Sequence, residues 1–234
     1  SGTGIIIPRL MLNNCTIQYR NTQQQSEGSG LEVSFCNGTG NNLIKGYKDG
    51  ISASGALGNR RIMGVNIEEC CTGIFLGKAD IDLLSNVNIS NCDYGIFSDF
   101  MTSGSRIWES TARQIQSCKI ENCNAGAILV SFKIIENSII DNCGLLGAGS
   151  DYHGSQIISS VISRNEVGII SQERLVLQNS RFSANNYAIS LNADGVAATN
   201  SIFSNNNNGI VGDNSGILHD LYQVSLPTRR QLKQ

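Results

Sequence analysis

Residues 160–170 read SVISRNEVGII, and the same pattern can be laid over most of the chain. Its marks are an apolar residue at Ile162, a turn-forming residue at Asn165 and a Gly-Ile pair at Gly168 and Ile169. Superimposed on Ile162 stand Ile17, Ile44, Ile67, Ile89, Ile120, Ile140, Phe182 and Phe203, at intervals of 20 to 31 residues. Self-similarity at that period belongs to a solenoid, a propeller or an array, yet the unit is too short for a four-stranded blade and lacks leucine-rich spacing. Pieces such as QIISS, VIS and GIIS show no helical period and are separated by turn formers, so they read as strands. The expected fold is all-β, a right-handed parallel β-helix of about nine coils of 20–31 residues with three short strands each.

Stacked coils turn interior positions into columns, and the columns can be read. Five residues before the reference stand Leu12, Ile62, Leu84, Ile115, Ile135, Ile157, Leu177 and Ala198. Two before it stand Cys15, Cys118, Ser138, Ser160, Ser180 and Ser201, small enough to pack or bond beneath a turn. Six and seven after it come Gly50-Ile51, Gly73-Ile74, Gly95-Ile96, Gly126-Ala127, Gly168-Ile169, Ala188-Ile189 and Gly209-Ile210. The sixth unit loses its clean pair in GLLGAGSDYHGSQ, and the first has it late, at Gly30-Leu31.

Composition agrees with this reading. Only 15% of the 234 residues are charged, with 25 Gly and 2 Pro, and the polar weight falls on Asn, Ser and Gln, which favour turns over helix interiors. A net charge of −2 offers no basic surface to nucleic acid. No apolar run reaches the length of a membrane span, and SGTGIIIPRL has no signal-peptide layout. The eight cysteines follow the repeat: Cys70, Cys92, Cys123 and Cys143 sit three residues past the reference, where later units have Asn165, Asn185 and Asn206. A rung spacing of about 4.8 Å leaves stacked Cβ atoms wider apart than a disulfide wants, so reduced thiols are expected. No CxxC pair exists and His numbers 2, so neither a metal nor another cofactor is expected.

The regular stretch 157–211 reads as scaffold, which sends function to the breaks in the pattern, above all 97–114 and 145–156. The helix is assigned to residues 1–211, and 212–234 either caps the open end or begins a connection onward. A Ser1 start and the lack of a capping helix before Leu10 suggest a piece of a larger protein.

Units such as NSIIDNCG, SVISRNEVGI and SIFSNNNNGI resemble the right-handed parallel β-helix of the pectate-lyase-like superfamily, most like a bacteriophage tailspike β-helix domain. The Cys/Asn column is similar to the ladder those proteins stack inside a tight turn, and the resemblance covers roughly residues 10 to 211. It implies a carbohydrate polymer in a groove on one long face, acidic residues of neighbouring coils doing acid–base work, and a homotrimer on a virion tail. The calcium and arginine motifs of true pectate lyases have no match here.

Two places could hold such chemistry, since glycoside hydrolysis needs carboxyl pairs at separations that adjacent or next-but-one rungs supply. The edge after the Gly-Ile strand gathers the catalytic candidates Asp80, Asp99, Glu109 and Asp151, with Asp82, Glu173, Asp194 and Lys133 nearby. Trp108, Arg106, Tyr152, His153 and Arg174 are its candidate sugar-binding residues. The competing reading is that charges gather at outward turns because they stay hydrated there. One position after the reference, Glu121 and Asp141 share a column, with Glu68 two rungs earlier. Like charges so close should raise one pKa, as a general acid requires, unless water screens the pair. The leading expectation is a tailspike-type β-helix binding capsule or lipopolysaccharide, with hydrolysis left open. The alternatives are a non-catalytic spacer or adhesin and, more weakly, a secreted polysaccharide lyase or epimerase.

Overall fold

The computed structural model describes residues 5–6, 9–19, 26–32, 35–53, 60–77, 79–98, 110–150, 154–191 and 195–212. These form a parallel β-solenoid of about eight turns, with no helix among them. Every strand pairing is parallel, and the winding is consistent with the right-handed sense of parallel crossovers. Nine strands carry the reference position, which makes eight full turns between Ile17 and Phe203.

Each turn contributes to two sheets. A ten-stranded sheet stacks the Gly-apolar strands, among them Thr72–Phe75, Tyr94–Phe97, Gly126–Leu129, Leu146–Ser150, Val167–Ser171 and Tyr187–Leu191. A sixteen-stranded sheet holds the remaining two strands of each turn, for instance Ser155–Ile158 and Val161–Ser163. In two turns these two fuse into one longer strand, Arg61–Glu68 and Ile81–Ser90, so three strands per coil hold only where a corner separates them.

The corner has a backbone cause. Left-handed conformations stand on both sides of the three-residue strand, at Asn137 and Asn142, Ser159 and Arg164, Asn179 and Ala184, and Asn200 and Asn205, all with φ between 49° and 57°. Asn tolerates this region better than most residues, because its short side chain bonds locally. The Asn-rich turns of the sequence are therefore corners rather than loops.

Inside the corner, polar ladders satisfy the amides that the bend removes from the sheets. Ser138, Ser160, Ser180 and Ser201 stack, each hydroxyl accepting the N–H of the residue one rung earlier at 3.1–3.3 Å. On the other flank Asn165 Oδ1 accepts from Cys143 N–H at 2.9 Å, Asn185 Oδ1 from Asn165 N–H at 3.0 Å and Asn206 Oδ1 from Asn185 N–H at 3.0 Å. Sulfur does the same work earlier: Cys92, Cys123 and Cys143 take the N–H groups of Cys70, Cys92 and Cys123. All eight cysteines are free. Burial pushes the Cys36 and Cys118 thiols up to about 11, and Cys92 and Cys123 are raised by the neighbouring thiol and then by burial.

The aliphatic column is continuous, with one correction. From Ile62 to Ala198 it runs as the spacing predicts, but in the first two coils Leu10 and Cys36 occupy it, and Leu12 pairs with Gly38 instead. A second correction concerns the Gly-apolar pair. Tyr94 faces Gly126 and Ile96 faces Ile128, so the fifth unit carries Ala127-Ile128 rather than Gly126-Ala127. Ala148 then pairs with Ile169, so Gly147-Ala148 keeps the pair in the sixth unit. A Cβ on Gly95 would meet the Ala127 carbonyl oxygen at 2.3 Å, and one on Gly168 the Ala188 oxygen at 2.5 Å. Close approach of the next rung, rather than a special φ, keeps glycine at these two positions.

Candidate functional site

Outward strand positions are the ones the core leaves to chemistry. The column one residue past the reference runs Lys45, Glu68, Ser90, Glu121, Asp141, Ser163, Ser183 and Ser204, in unbroken register. Glu121 and Asp141 are thus on adjacent rungs, with Glu68 two rungs before Glu121, as the spacing predicts.

The pair is not a poised acid and base. Asp141 has a side chain only 13% exposed, and Oδ1 accepts from Ser163 Oγ at 2.7 Å and Arg164 Nε at 2.9 Å. Arg164 Nη2 completes a bidentate pair with Oδ2. Desolvation acts to raise the Asp141 pKa, but the Arg164 and Ser163 hydrogen bonds outweigh it, and the carboxyl is held below its ordinary value. Glu121 is engaged by Lys119 at 2.7 Å. The expected upward shift is therefore corrected: cations and a hydroxyl face Asp141, and they decide the sign.

Next to this pair lies a shallow groove of about 350 Å³, parallel to the helix axis. Asp141 and Arg164 close one end, Arg181 stands in the middle, and Ser163, Ser183 and Ser204 follow one another along it. It crosses four successive rungs, which is about 14 Å at the spacing of parallel strands. Arg181 is exposed, and no ion-pair or hydrogen-bond partner of its guanidinium occurs among the described residues. The groove thus offers an exposed cation, a neutralised carboxylate and hydroxyls at the rung period, and apart from Ile139 and Asp141 its lining belongs to the regular coils expected to be scaffold.

At the other candidate edge, Asp80 and Arg174 are the two site candidates among the described residues. Asp80 is exposed, and its Oδ1 accepts the Thr111 N–H at 2.8 Å, which ties one rung to the next. Arg174 is exposed, and its carbonyl accepts from Gly154 N–H at 3.0 Å. Asp82 lies 3.4 Å from Arg113. Arg60 was not expected here: it is 6% exposed, Nη1 donates to the Asp80 carbonyl at 3.2 Å, and Nε has no acceptor among the described residues. Asp99, Glu109, Asp151, Arg106, Trp108, Tyr152, His153 and Asp194 lie outside the described residues.

Aromatic surface does occur among the described residues. Half-buried Phe75, Tyr94 and Phe97 cluster on the ten-stranded sheet, with ring centroids 6.1 Å apart for Phe75–Phe97 and 4.9 Å for Tyr94–Phe97. Tyr94 and Phe97 adjoin a second apolar cluster of Leu129, Leu146, Val167 and Ile170, separate from the main core. No group of three or more metal-ligating side chains occurs among the described residues.

Sequence reasoning missed Arg164, Arg181 and this aromatic strip. A signal for the arginines existed: each is a charged residue at an outward position of an otherwise Asn- and Ser-rich unit. No family model, no curated protein and no solved structure matches the chain.

Proposed function

We propose that this chain is the carbohydrate-contacting β-helix of a tailspike-type protein, and that it binds a bacterial surface polysaccharide along the groove beside Arg181. The observation that carries the reading is the groove itself, extended along the solenoid axis and lined by hydroxyls at regular spacing. A polymer of repeating hydroxylated units meets such a surface with the same donors and acceptors at each rung. The phenyl and phenol rings of Phe75, Tyr94 and Phe97 offer a second kind of sugar contact on another face. Capsule and lipopolysaccharide are the expected ligands, the assembly is a homotrimer, and the location is the virion tail, with a secreted or cell-surface protein as the alternative.

The test is binding of the purified chain to capsular polysaccharide and lipopolysaccharide, with Arg181→Ala and Ser183→Ala in the groove. Met11→Ala, at a side chain 71% exposed and far along the chain, serves as the control. Losses confined to the groove variants support the reading, and equal affinity for all three variants refutes it. Oligomeric state is read by analytical ultracentrifugation.

A second reading, binding without turnover as in a spacer or adhesin, is favoured by the state of Asp141. A carboxylate held ionised by Arg164 and Ser163 is not a general acid near neutral pH. Hydrolysis, if present, then belongs to the edge of Asp80, Asp99, Glu109 and Asp151, and appears as new reducing ends lost on their substitution. Unsaturated products absorbing in the ultraviolet would assign a lyase instead.

A further inference from the structure

The two outward columns at the groove differ in chemistry. Residues one before and one after the reference position both point outward and stand about 7 Å apart along the strand, with buried Phe182 between Arg181 and Ser183. The later column supplies the hydroxyls of Ser163, Ser183 and Ser204. The earlier one runs Lys119, Ile139, Val161, Arg181 and Ile202 in unbroken register. Its isoleucines are not core residues: Ile139 is 42% exposed and Ile202 is 50% exposed.

Arg181 is therefore a cation set among aliphatic neighbours, one rung from Ile202 and two from Ile139, or about 5 and 10 Å at the spacing of parallel strands. The next cation along the column, Lys119, lies three rungs from Arg181 and is engaged by Glu121 at 2.7 Å. Within the groove lining, Arg164 and Asp141 balance one another. The groove is left with one positive charge, at Arg181, on a chain whose net charge is −2.

We infer that the groove takes a heteropolysaccharide in which an isolated carboxylated sugar stands between neutral sugars bearing methyl groups, as deoxy and N-acetyl sugars do; this rests on the reading of the groove as the glycan site. The Arg181 guanidinium takes the carboxylate, which its planar fork matches. Ile139 and Ile202 take the methyl groups, and the serine column meets ring hydroxyls from the other side. A polymer with a carboxylate on every sugar fits badly. Its neighbouring charges fall against Val161 and Ile202, where no cation of the column offsets the loss of water.

The probe is hyaluronan, whose carboxylated sugars alternate with N-acetylated ones. It is compared by titration calorimetry, at fixed ionic strength, with its neutral carboxyl-reduced form and with polygalacturonate, which carries a carboxylate on every sugar. Hyaluronan should bind about tenfold or more tightly than either, the effect of a charge-assisted hydrogen-bonded pair. Arg181→Gln should abolish the preference for hyaluronan over its neutral form without changing affinity for the neutral form, and Arg181→Lys should restore part of it. Ile139→Ser and Ile202→Ser, at exposed side chains, should weaken both forms alike by about threefold. An Arg181→Gln loss equal for the charged and neutral forms, polygalacturonate binding as tightly as hyaluronan, or no binding of hyaluronan overturns the inference. If capsule or lipopolysaccharide binding still depends on Ser183 in that event, the groove remains the glycan site and only its preference was misassigned. If no glycan distinguishes the Arg181 and Ser183 variants from wild type, the groove reading falls as well.

Discussion

Replacing Asn185 tests whether the corner ladders hold the solenoid together. Asn185 is 1% exposed, its Oδ1 accepts the Asn165 N–H at 3.0 Å, and its Nδ2 donates to the Ile162 carbonyl at 3.1 Å. Asn185→Ala leaves both groups buried without a partner. Each costs about 1–3 kcal/mol, so the loss should be about 4 kcal/mol. Asn206→Ala removes the same contacts one rung on, but at a half-buried side chain where water can take their place, and should cost about 1 kcal/mol. Asn185→Cys is the informative third variant. Sulfur is a weak acceptor that already receives this N–H at Cys92, Cys123 and Cys143, so about half the loss should be recovered. Urea unfolding followed by circular dichroism measures all three, provided the slope with denaturant stays constant, as it must if the array unfolds as one unit. If Asn185→Ala cost no more than Asn206→Ala, or Asn185→Cys no less than Asn185→Ala, the ladder would be a bystander.

Other outcomes follow from close contacts and charge. Gly95→Ala forces a Cβ onto the Ala127 carbonyl oxygen and should cost about 1–3 kcal/mol, whereas Gly209→Ala, which meets nothing within 4 Å, should be neutral or nearly so in the same denaturation assay. Asp141 has a folded-state pKa below its unfolded one, so its contribution is present above the unfolded value and lost as pH falls through the folded one. With Arg164 63% exposed, that contribution is about 1 kcal/mol or less. Wild type should therefore lose its stability advantage over Asp141→Asn between about pH 5 and pH 2, and an advantage unchanged across that range would contradict the pairing. Thiol reagents should label Cys15 and Cys71 first in the native chain and reach the buried Cys36, Cys70, Cys92, Cys118, Cys123 and Cys143 on unfolding.

The fold was legible because stacking makes one sequence position answer for a whole column. Ile162 has Ile140 below it and Phe182 above it, so any polar residue there would be repeated against the core, and the apolar register stands out. The Cys/Asn column was legible for the same reason, although its role as an amide acceptor became visible only in the bond from Asn165 N–H to Asn185 Oδ1. Register slipped where the coil length changes. Leu10 and Cys36 took the place expected for Leu12, and Ile128 the place expected for Ala127, because an inserted residue displaces the frame without changing the composition.

The groove was not legible, and the reason is also physical. Outward positions carry no column rule: Glu121, Asp141, Ser163 and Ser183 share a register without sharing a chemistry. What Asp141 does is set by Arg164, which stands 23 positions along the chain and one rung away, so a pairwise reading of carboxylates along the column gave the wrong sign. Regularity in the core therefore says nothing against function on the same coils. Ile162 is buried scaffold while its neighbours Ser163 and Arg164 face the groove. A solenoid can keep one side of each strand invariant for stacking and vary the other, residue by residue, along a polymer-length surface.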